Sequence, residues 1–320
     1  MIEVDQRQLG ATGITVPALG IGTWSWGDTG FWGYGKTFTR EDVTQSYQFC
    51  LDNGLYFFDT AETYGKGESE RLLGEERRAD GRPIVIASKF APLLTRLSPK
   101  LLLEALDQSL ERLDVKQIDL YQIHWPYSVL SIKSLMDALS EAVRSQRVRA
   151  VGVSNYSAKQ MREAHARLAR YDIPLASNQV HYNLLYRKPE ANGVLDACRE
   201  LDVALIAYSP LQQGLLTGKY RDNNTPLPSF ARRFSSQFGR GKQEKMEPLF
   251  VAMEKAAQAH NKTLAQVSLN WLLETDVHII PIPGAKTLRQ AQENAGALGW
   301  RLTDVEYASI AQAAQPWLHA

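Results

Sequence analysis

Four ionisable side chains stand at or just beyond the ends of short apolar segments, and their chemistry suits proton transfer. Asp59 ends LYFFDT, Tyr64 follows five residues later, Lys89 ends PIVIASK and His124 ends IDLYQIH. A free tyrosine, with a pKa of about 10, is too weak an acid to work well at neutral pH. A lysine ammonium beside the phenol favours the phenolate and lowers the phenol pKa. The four residue types therefore predict a tuned tyrosine acid that delivers a proton to a carbonyl oxygen.

Each of the other three residues has a definite place in this chemistry. We expect the Asp59 carboxylate to keep Lys89 charged and oriented. His124, as a neutral imidazole, would donate a hydrogen bond to the substrate carbonyl and fix its position. Any one of these residues alone is more often structural. The hypothesis depends on their arrival from three successive segments of the chain.

Short apolar runs alternate with stretches of helical periodicity along the whole chain, which is typical of βα units. Helix starts are indicated at Thr39, Ser98, Ser157 and Thr263. Strands with consecutive apolar residues are buried on both faces, as a parallel sheet covered by helices requires. The predicted strands are 17–22, 55–60, 83–89, 118–124, 148–154, 175–180, 203–209 and 277–284. Eight such units predict an α/β fold, a closed (β/α)8 TIM barrel whose catalytic residues lie at the carboxyl ends of the strands.

Three segments fall outside the eight-fold pattern. QLGATGITVP near the start predicts an N-terminal hairpin that plugs the bottom of the barrel. Residues 210–243 predict a long functional loop. TDVEYASIAQAA (303–314) predicts an extra C-terminal helix that begins at an N-cap threonine. Because no break in composition separates two parts of the chain, we expect residues 1–320 to form a single domain.

Composition narrows the range of partners. The chain has 320 residues, of which 44% are hydrophobic and 22% charged, and its formal net charge is +1. This balance gives no electrostatic reason to expect nucleic acid or an anionic membrane, so a small-molecule carbonyl substrate is the expected partner. No signal peptide or apolar span is evident, so the expected location is cytoplasmic, or an organelle if a transit peptide has been removed. The expected state is a monomer or weak oligomer. Cys50 and Cys198 are expected to be buried thiols, and no metal site is indicated.

The ordered motifs resemble those of the aldo-keto reductase superfamily over almost the whole chain. FFDTAETYG (57–65), IASK (86–89) and DLYQIHWP (119–126) are similar to the family's catalytic signatures. VGVSNYS (151–157), SNQVHYN (177–183), AYSPLQQGLLTGK (207–219) and IPGAKTLRQAQEN (282–294) are similar to its cofactor-binding signatures. The resemblance implies a barrel that reduces aldehydes or ketones with NADPH. It also implies a catalytic tetrad of Asp59, Tyr64, Lys89 and His124.

The resemblance assigns the cofactor contacts residue by residue. Ser154, Asn155 and Gln179 would bind the nicotinamide carboxamide, and Tyr208 would stack on the ring. The loop from Ser209 to Lys219 would cover the pyrophosphate. Around the adenosine end, the expected contacts come from Pro283, Gly284, Glu293 and Asn294. The remaining expected contacts are Gly22, Thr23, Trp24, Asp59, Pro210, Leu211 and Gly214.

One position departs from a common family pattern, which has lysine immediately after the strand-8 proline where this chain has Gly284. Lys286, Gln290 and Arg232 or Arg289 are therefore the candidates for the 2′-phosphate. The 2′-phosphate is an anion that NADPH has and NADH lacks, so the presence of cationic candidates favours NADPH over NADH.

Aromatic residues are concentrated in loops that follow strands, where a barrel keeps its pocket. We expect Trp24, Tyr64, His124 and Trp125 to contact substrate. Trp26, Trp32 and Tyr182 are further candidates for an aromatic lining, with simple packing as the alternative. GFWGYGKT (30–37) fits a phosphate-loop pattern, but no strand runs straight into its first glycine, so we interpret it as a substrate-pocket loop.

Two other functions remain open on the sequence. A Schiff-base lyase could use Lys89 as its nucleophile. Alternatively, the chain could be a non-catalytic NADPH-binding regulatory subunit, because the aldo-keto reductase fold includes the cytoplasmic β subunits of potassium channels. Turnover would separate the second alternative from the reductase, and borohydride trapping would identify the first.

Overall fold

Eight parallel strands form the centre of the molecule. The computed structural model describes residues 3–221 and 240–319 of the chain. A two-stranded antiparallel hairpin, β1 (Gln6–Gln8) and β2 (Thr15–Pro17), precedes the barrel. The barrel strands are β3 (Ile21–Gly22), β4 (Phe57–Asp59), β5 (Val85–Phe90), β6 (Ile118–Ile123), β7 (Val148–Ser154), β8 (Leu175–His181), β9 (Ala204–Tyr208) and β10 (Ile279–Pro281).

The sheet closes on itself. Its strands pair in sequence order from β3 to β10, and every neighbouring pair is parallel. The first and last strands then meet, because the amide of Gly20 donates to the carbonyl of Pro281 at 3.0 Å and that of Gly22 to Pro283 at 3.0 Å. The predicted (β/α)8 barrel is confirmed, and all eight predicted strands are present.

The helices surround the sheet. They are α1 (Arg40–Asp52), α2 (Glu68–Asp80), α3 (Lys100–Leu113), α4 (Ile132–Arg144), α5 (Ala158–Leu168), α6 (Lys188–Ala191), α7 (Val194–Leu201), α8 (Arg240–His260), α9 (Leu264–Thr275), α10 (Leu288–Ala295) and α11 (Asp304–Ala313). Within the described residues, none of them is long and apolar enough to cross a membrane.

Most of the predicted helix starts are correct. The side chains of Thr39, Ser157 and Thr263 each accept a hydrogen bond from the backbone amide three residues later. The side chain of that later residue accepts the amide of the capping residue in return, which completes a capping box. Ser98 differs, because Pro99 already has helical dihedral angles and α3 begins at Lys100. The Ser98 hydroxyl instead accepts the Lys100 amide at 3.3 Å.

The segment predicted as a loop over 210–243 contains more helix than expected. Residues Gln212–Thr217 contain 3-10 turns interrupted by left-handed Gln213 and Gly214, and α8 begins at Arg240, inside the predicted loop. Residues 222–239 lie outside the described part of the chain. The predicted C-terminal helix is confirmed as α11, which meets α8 through a 2.9 Å contact between His260 Nε2 and a Glu306 carboxylate oxygen.

The hairpin closes the end of the barrel opposite the candidate site. Leu9, Ile14 and Val16 are buried in one apolar cluster with inward-facing strand residues such as Phe57 and Ile206. Gly10 has φ +55, and a β-carbon there would lie 2.7–3.3 Å from three carbonyl oxygens of residues 175, 176 and 202. This close approach confirms the predicted plug and leaves the carboxyl ends of the strands as the open mouth.

Candidate active site

The four predicted catalytic residues come together at the barrel mouth. Asp59 is the last residue of β4, Lys89 lies in β5, His124 follows β6, and Tyr64 lies in the turn after β4. Lys89 Nζ is 2.5 Å from Asp59 Oδ1 and 3.3 Å from the Tyr64 hydroxyl. The Tyr64 and His124 ring centroids are 5.7 Å apart. The structure thus forms a continuous path from a carboxylate through an ammonium to a phenol.

Lys89 is completely buried and yet remains charged. Its ammonium donates to Asp59, to the Thr60 carbonyl at 2.8 Å and to Tyr64. Burial lowers the pKa of Lys89, but the Asp59 carboxylate and the Tyr64 oxygen together raise that pKa above its ordinary value. Lys89 is therefore a fixed positive charge beside the phenol at any physiological pH.

The pKa of Tyr64 moves in the opposite direction from the one expected from its neighbours. Burial raises the pKa of the phenol, and this outweighs the lowering by Lys89, while Asp59 raises it further. The expectation of a net lowered pKa was therefore wrong for the protein without ligands. The pKa is raised because burial removes the water that would hydrate a phenolate, and this effect is larger than the attraction of Lys89 considered in the sequence analysis. Tyr64 holds its proton at neutral pH, as a proton donor must.

His124 is a neutral imidazole with an unused polar atom. The residue is 8% exposed, its Nδ1 has no hydrogen-bond partner among the described residues, and its ring stacks on Trp125 with the centroids 4.0 Å apart. Burial, together with the Lys89 charge, lowers the pKa of His124 to about 2. The neutral form agrees with the predicted role as a hydrogen-bond donor to an uncharged carbonyl.

This shifted pKa predicts a pH-dependent stability. The unfolded chain binds the proton first as the pH falls below about 6.5, so stability decreases from there downward. Between pH 7 and pH 5, we expect the unfolding free energy of the wild type to fall by about 2 kcal/mol more than that of His124→Gln. Urea unfolding at both pH values measures this difference. Equal losses in the two proteins would show that His124 titrates normally.

A buried amide network lies on the other side of Asp59. Gln179 Nε2 donates to Asp59 Oδ2 at 2.7 Å, and Gln122 Nε2 approaches the same oxygen at 3.4 Å. The Ser177 hydroxyl donates to Gln122 Oε1 at 3.1 Å. The sequence reasoning missed Gln122 and Ser177. The available signal was polar residues inside the apolar strand patterns IDLYQIH and LASNQV.

Gly152 makes room for this network. A β-carbon at position 152 would overlap the Ser177 hydroxyl and lie 3.1 Å from Gln122 Cγ. Overpacking of this kind costs about 1–3 kcal/mol. We therefore expect Gly152→Ala to lower the unfolding free energy by that amount, and Gly152→Ala/Ser177→Ala to recover part of it. Chemical denaturation of both variants tests this, and a Gly152→Ala protein as stable as the wild type would contradict it.

The residues assigned to a nicotinamide carboxamide lie beside the tetrad. The Tyr208 hydroxyl donates to Asn155 Oδ1 at 3.0 Å, and Asn155 Nδ2 donates to the Ser154 hydroxyl at 3.0 Å. The Ser154 hydroxyl in turn donates to the Gln179 carbonyl at 2.8 Å. The structure therefore brings together all four residues. Gly22 and Thr23 lie next to these residues and the tetrad. The Thr23 amide donates to the Asp59 carbonyl at 2.9 Å, and Gly22 pairs with Gly284.

The loop after β9 has an unusual backbone. Ser209, Gln212, Gln213 and Gly214 have positive φ angles of 50, 47, 54 and 94°. Left-handed residues within turns make concave arrays of amides that suit anions. Gly214 also leaves space for Lys219, since a β-carbon there would lie 3.0 Å from Lys219 Nζ. The turn at Pro210 and Leu211 connects this loop to the barrel.

The adenosine candidates occupy α10 and the turn before it. Asn294 Nδ2 donates to the Gly284 carbonyl at 3.2 Å, and Gln290 Oε1 accepts the Lys286 amide at 2.9 Å. The Glu293 carboxylate accepts the Thr263 hydroxyl. Lys286 Nζ lies over the rings of Trp32 and Phe38 at 5.3 and 5.1 Å. Pro283 is buried, Arg289 is exposed on α10, and Arg232 lies outside the described residues.

Aromatic rings form one wall of the mouth. Trp24 is 37% exposed, stacks on Phe31 at 5.2 Å and lies 6.2 Å from the Tyr64 ring. Trp32 meets Trp24 edge-on at 5.3 Å. Phe31 is a member of this wall that the sequence reasoning missed. The Phe31 and Trp32 amides both donate to Asp28, which fixes the loop.

Two of the predicted lining residues are core residues instead. Trp26 is completely buried, and its indole nitrogen donates to the Ala285 carbonyl at 2.9 Å. Tyr182 is also completely buried, and its hydroxyl donates to Glu190 at 2.9 Å. Their polar atoms are satisfied inside the protein, so packing is the correct interpretation.

Comparison with known proteins shows the family to which the chain belongs. The sequence profile described as "Aldo/keto reductase family" matches residues 18–315. The chain belongs to the aldo/keto reductase family. It is 38% identical over 315 residues to the chloroplastic pyridoxal reductase of Arabidopsis thaliana, an alignment that covers 94% of this chain and 84% of that protein.

Solved aldo/keto reductases have the same architecture. The glycerol dehydrogenase of Gluconobacter oxydans superposes with a TM-score of 0.85 at 26% identity, covering 99% of this chain and 97% of that one. An aldo-keto reductase of Klebsiella pneumoniae solved in complex with NADPH superposes with a TM-score of 0.76 at 25% identity, covering 99% and 96%.

Proposed function

We propose that the chain is an NADPH-dependent reductase of aldehydes or ketones. The observation that carries this proposal is the hydrogen-bonded path from Asp59 through Lys89 to Tyr64, with the neutral His124 beside it. Membership of the aldo/keto reductase family and the NADPH complex of the Klebsiella pneumoniae relative support it. We further propose that residues 1–320 act as one catalytic domain.

The protein's own side chains perform the proton half of the reaction. Tyr64 donates its proton to the substrate oxygen. The fixed charge of Lys89, 3.3 Å from the phenol oxygen, stabilises the phenolate that remains. His124 donates a hydrogen bond to the same substrate oxygen and orients the carbonyl. NADPH supplies the hydride when it is bound.

The residues at the mouth fit such a cofactor. Asn155 and Gln179 offer amide groups to a carboxamide, and Tyr208 offers a half-buried aromatic ring. The loop from Ser209 to Gly214 contains four left-handed residues and would offer amides to a pyrophosphate, apart from those of Gln212 and Gly214, which already donate to carbonyls within the loop. Adenosine would be held by Asn294 and its neighbours on α10. Lys286 and Gln290 remain the proposed residues for the 2′-phosphate, together with Arg289.

A planar aromatic aldehyde is the first substrate to test. The wall formed by Trp24, Phe31 and Trp32 can stack on a flat ring next to Tyr64. The relative in Arabidopsis thaliana is named a pyridoxal reductase. Pyridoxal is such an aldehyde, and it heads the panel for this reason.

Turnover tests the proposal. The rate of NADPH oxidation is measured with pyridoxal, 4-nitrobenzaldehyde and an aliphatic aldehyde, after NADPH binding has been shown by fluorescence quenching. We expect one alcohol formed for each NADPH oxidised, and a lower KM for aromatic aldehydes. Binding of NADPH without turnover across the panel would favour the regulatory-subunit alternative.

The Schiff-base alternative receives no support from Lys89. All three protons of its ammonium are donated, and a nucleophilic amine would first have to lose one of them. Its raised pKa opposes that loss. Failure of borohydride to trap a covalent adduct in the presence of substrate is the expected result.

A further inference from the structure

Three nearly parallel rings lie behind the proposed nicotinamide position. His181 stacks on Tyr186 with the ring centroids 4.2 Å apart and an interplanar angle of 15°. His181 also stacks on Tyr208, with the ring centroids 5.3 Å apart and an interplanar angle of 8°. These separations are typical of offset aromatic stacking. One face of Tyr208 is therefore occupied by an imidazole.

The chain builds this stack with a tight turn. His181 is the last residue of β8, and residues 183–186 turn directly after it. The turn is closed by two backbone hydrogen bonds, from Tyr186 N to Asn183 O at 2.9 Å and from Asn183 N to Tyr186 O at 3.2 Å. Asn183 Oδ1 also accepts the Leu185 amide at 2.8 Å. The turn thereby folds Tyr186 back over the imidazole.

A hydrogen bond fixes the plane of the imidazole. His181 Nε2 lies 2.7 Å from Gln212 Oε1, and Asn183 Nδ2 donates to the same oxygen at 2.7 Å. Asn183 Nδ2 also lies 3.1 Å from His181 Nε2, so both polar groups hold the imidazole in place. Asn183 also donates to the Ser209 carbonyl at 2.9 Å. The stack is thus tied to the loop proposed to bind the pyrophosphate.

We propose that His181 is a positioning residue for the nicotinamide half of the cofactor. It covers the rear face of Tyr208 and sets the angle of that ring, so that only the opposite face can receive the nicotinamide. This inference rests on the proposed function. Burial lowers the pKa of His181, while the bond to Gln212 raises it in part, so the ring stays neutral and does not repel an oxidised, cationic nicotinamide.

The affinities for two ligands distinguish a positioning role of His181 from a general role in packing. NADP⁺ contains the nicotinamide, whereas adenosine 2′,5′-bisphosphate contains only the adenosine end. We expect His181→Gln, which removes the ring, to raise the Kd of NADP⁺ about tenfold and to leave that of the bisphosphate within about twofold. His181→Phe keeps a ring against Tyr208, so we expect its NADP⁺ Kd to stay within about threefold of the wild-type value.

His165→Gln is the matched control, because His165 is half-buried on α5 and distant from this stack in the fold. Its affinity for both ligands should equal that of the wild type. If His181→Gln does not fold, Tyr186→Leu removes the outer ring instead, with a weaker but equally selective loss. Calorimetric titration gives all of these constants.

The inference is overturned if His181→Gln weakens both ligands equally, weakens neither, or behaves no differently from His181→Phe. Failure of the proposed function has a different signature. In that case, the folded wild type would not bind NADP⁺, or would bind it without reducing any aldehyde of the panel.

Discussion

Tyr64→Phe is expected to lower kcat for aldehyde reduction at least about a hundredfold, as loss of a general acid does. The phenyl ring keeps its place near Trp24 and His124, so the Kd of NADPH should stay within about twofold. Only the hydroxyl that receives the Lys89 hydrogen bond is removed. Initial rates of NADPH oxidation and fluorescence quenching measure the two quantities.

Tyr127→Phe is the matched control for that variant. Tyr127 is 81% exposed in the loop after β6, and the same loss of a hydroxyl there should leave kcat unchanged. If Tyr64→Phe retained more than about a tenth of the wild-type kcat, another group would have to be the proton donor.

Lys89→Met is expected to damage both activity and stability. Removing one partner of a buried ion pair leaves the other charge unpaired, which costs about 3–5 kcal/mol. Among the described side chains, Asp59 would be left with the amide donors Gln179 and Gln122. The phenolate of Tyr64 would lose its stabilising charge, so we expect kcat to fall at least about a hundredfold. Urea unfolding and steady-state kinetics measure the two effects.

The double variant Asp59→Asn/Lys89→Met separates these effects. With the unpaired charge removed, at least about 1 kcal/mol of the lost unfolding free energy should return. Activity should not return, because in the described part of the chain Lys89 is the cation that faces Tyr64. Recovery of turnover in the double variant would contradict the role assigned to Lys89.

The fold could be predicted from the sequence because its signals are local. Apolar runs identified all eight barrel strands, and capping threonines and serines identified several helix starts. The start of α8 was missed. Its first turns, RGKQEKMEP, contain few apolar residues and a proline, so the amphipathic pattern that marks a buried helix is absent there.

The tetrad could be predicted because its members lie at strand ends, where barrel geometry makes them converge. The net pKa of Tyr64 could not be predicted, because it depends on how far burial strips water from the phenol. The position of Trp26 was missed for a similar reason. Whether a loop tryptophan faces the pocket or the core depends on packing, here a hydrogen bond to Ala285 from a distant part of the chain.

The fate of the hydride tests the central claim most directly. NADPH deuterated at the transferable position is incubated with pyridoxal or 4-nitrobenzaldehyde, and the alcohol product is analysed by mass spectrometry. We predict one deuterium on the carbinol carbon for each NADPH oxidised. Alcohol without deuterium, or NADPH bound without formation of any alcohol across the aldehyde panel, would contradict the assignment as a carbonyl reductase.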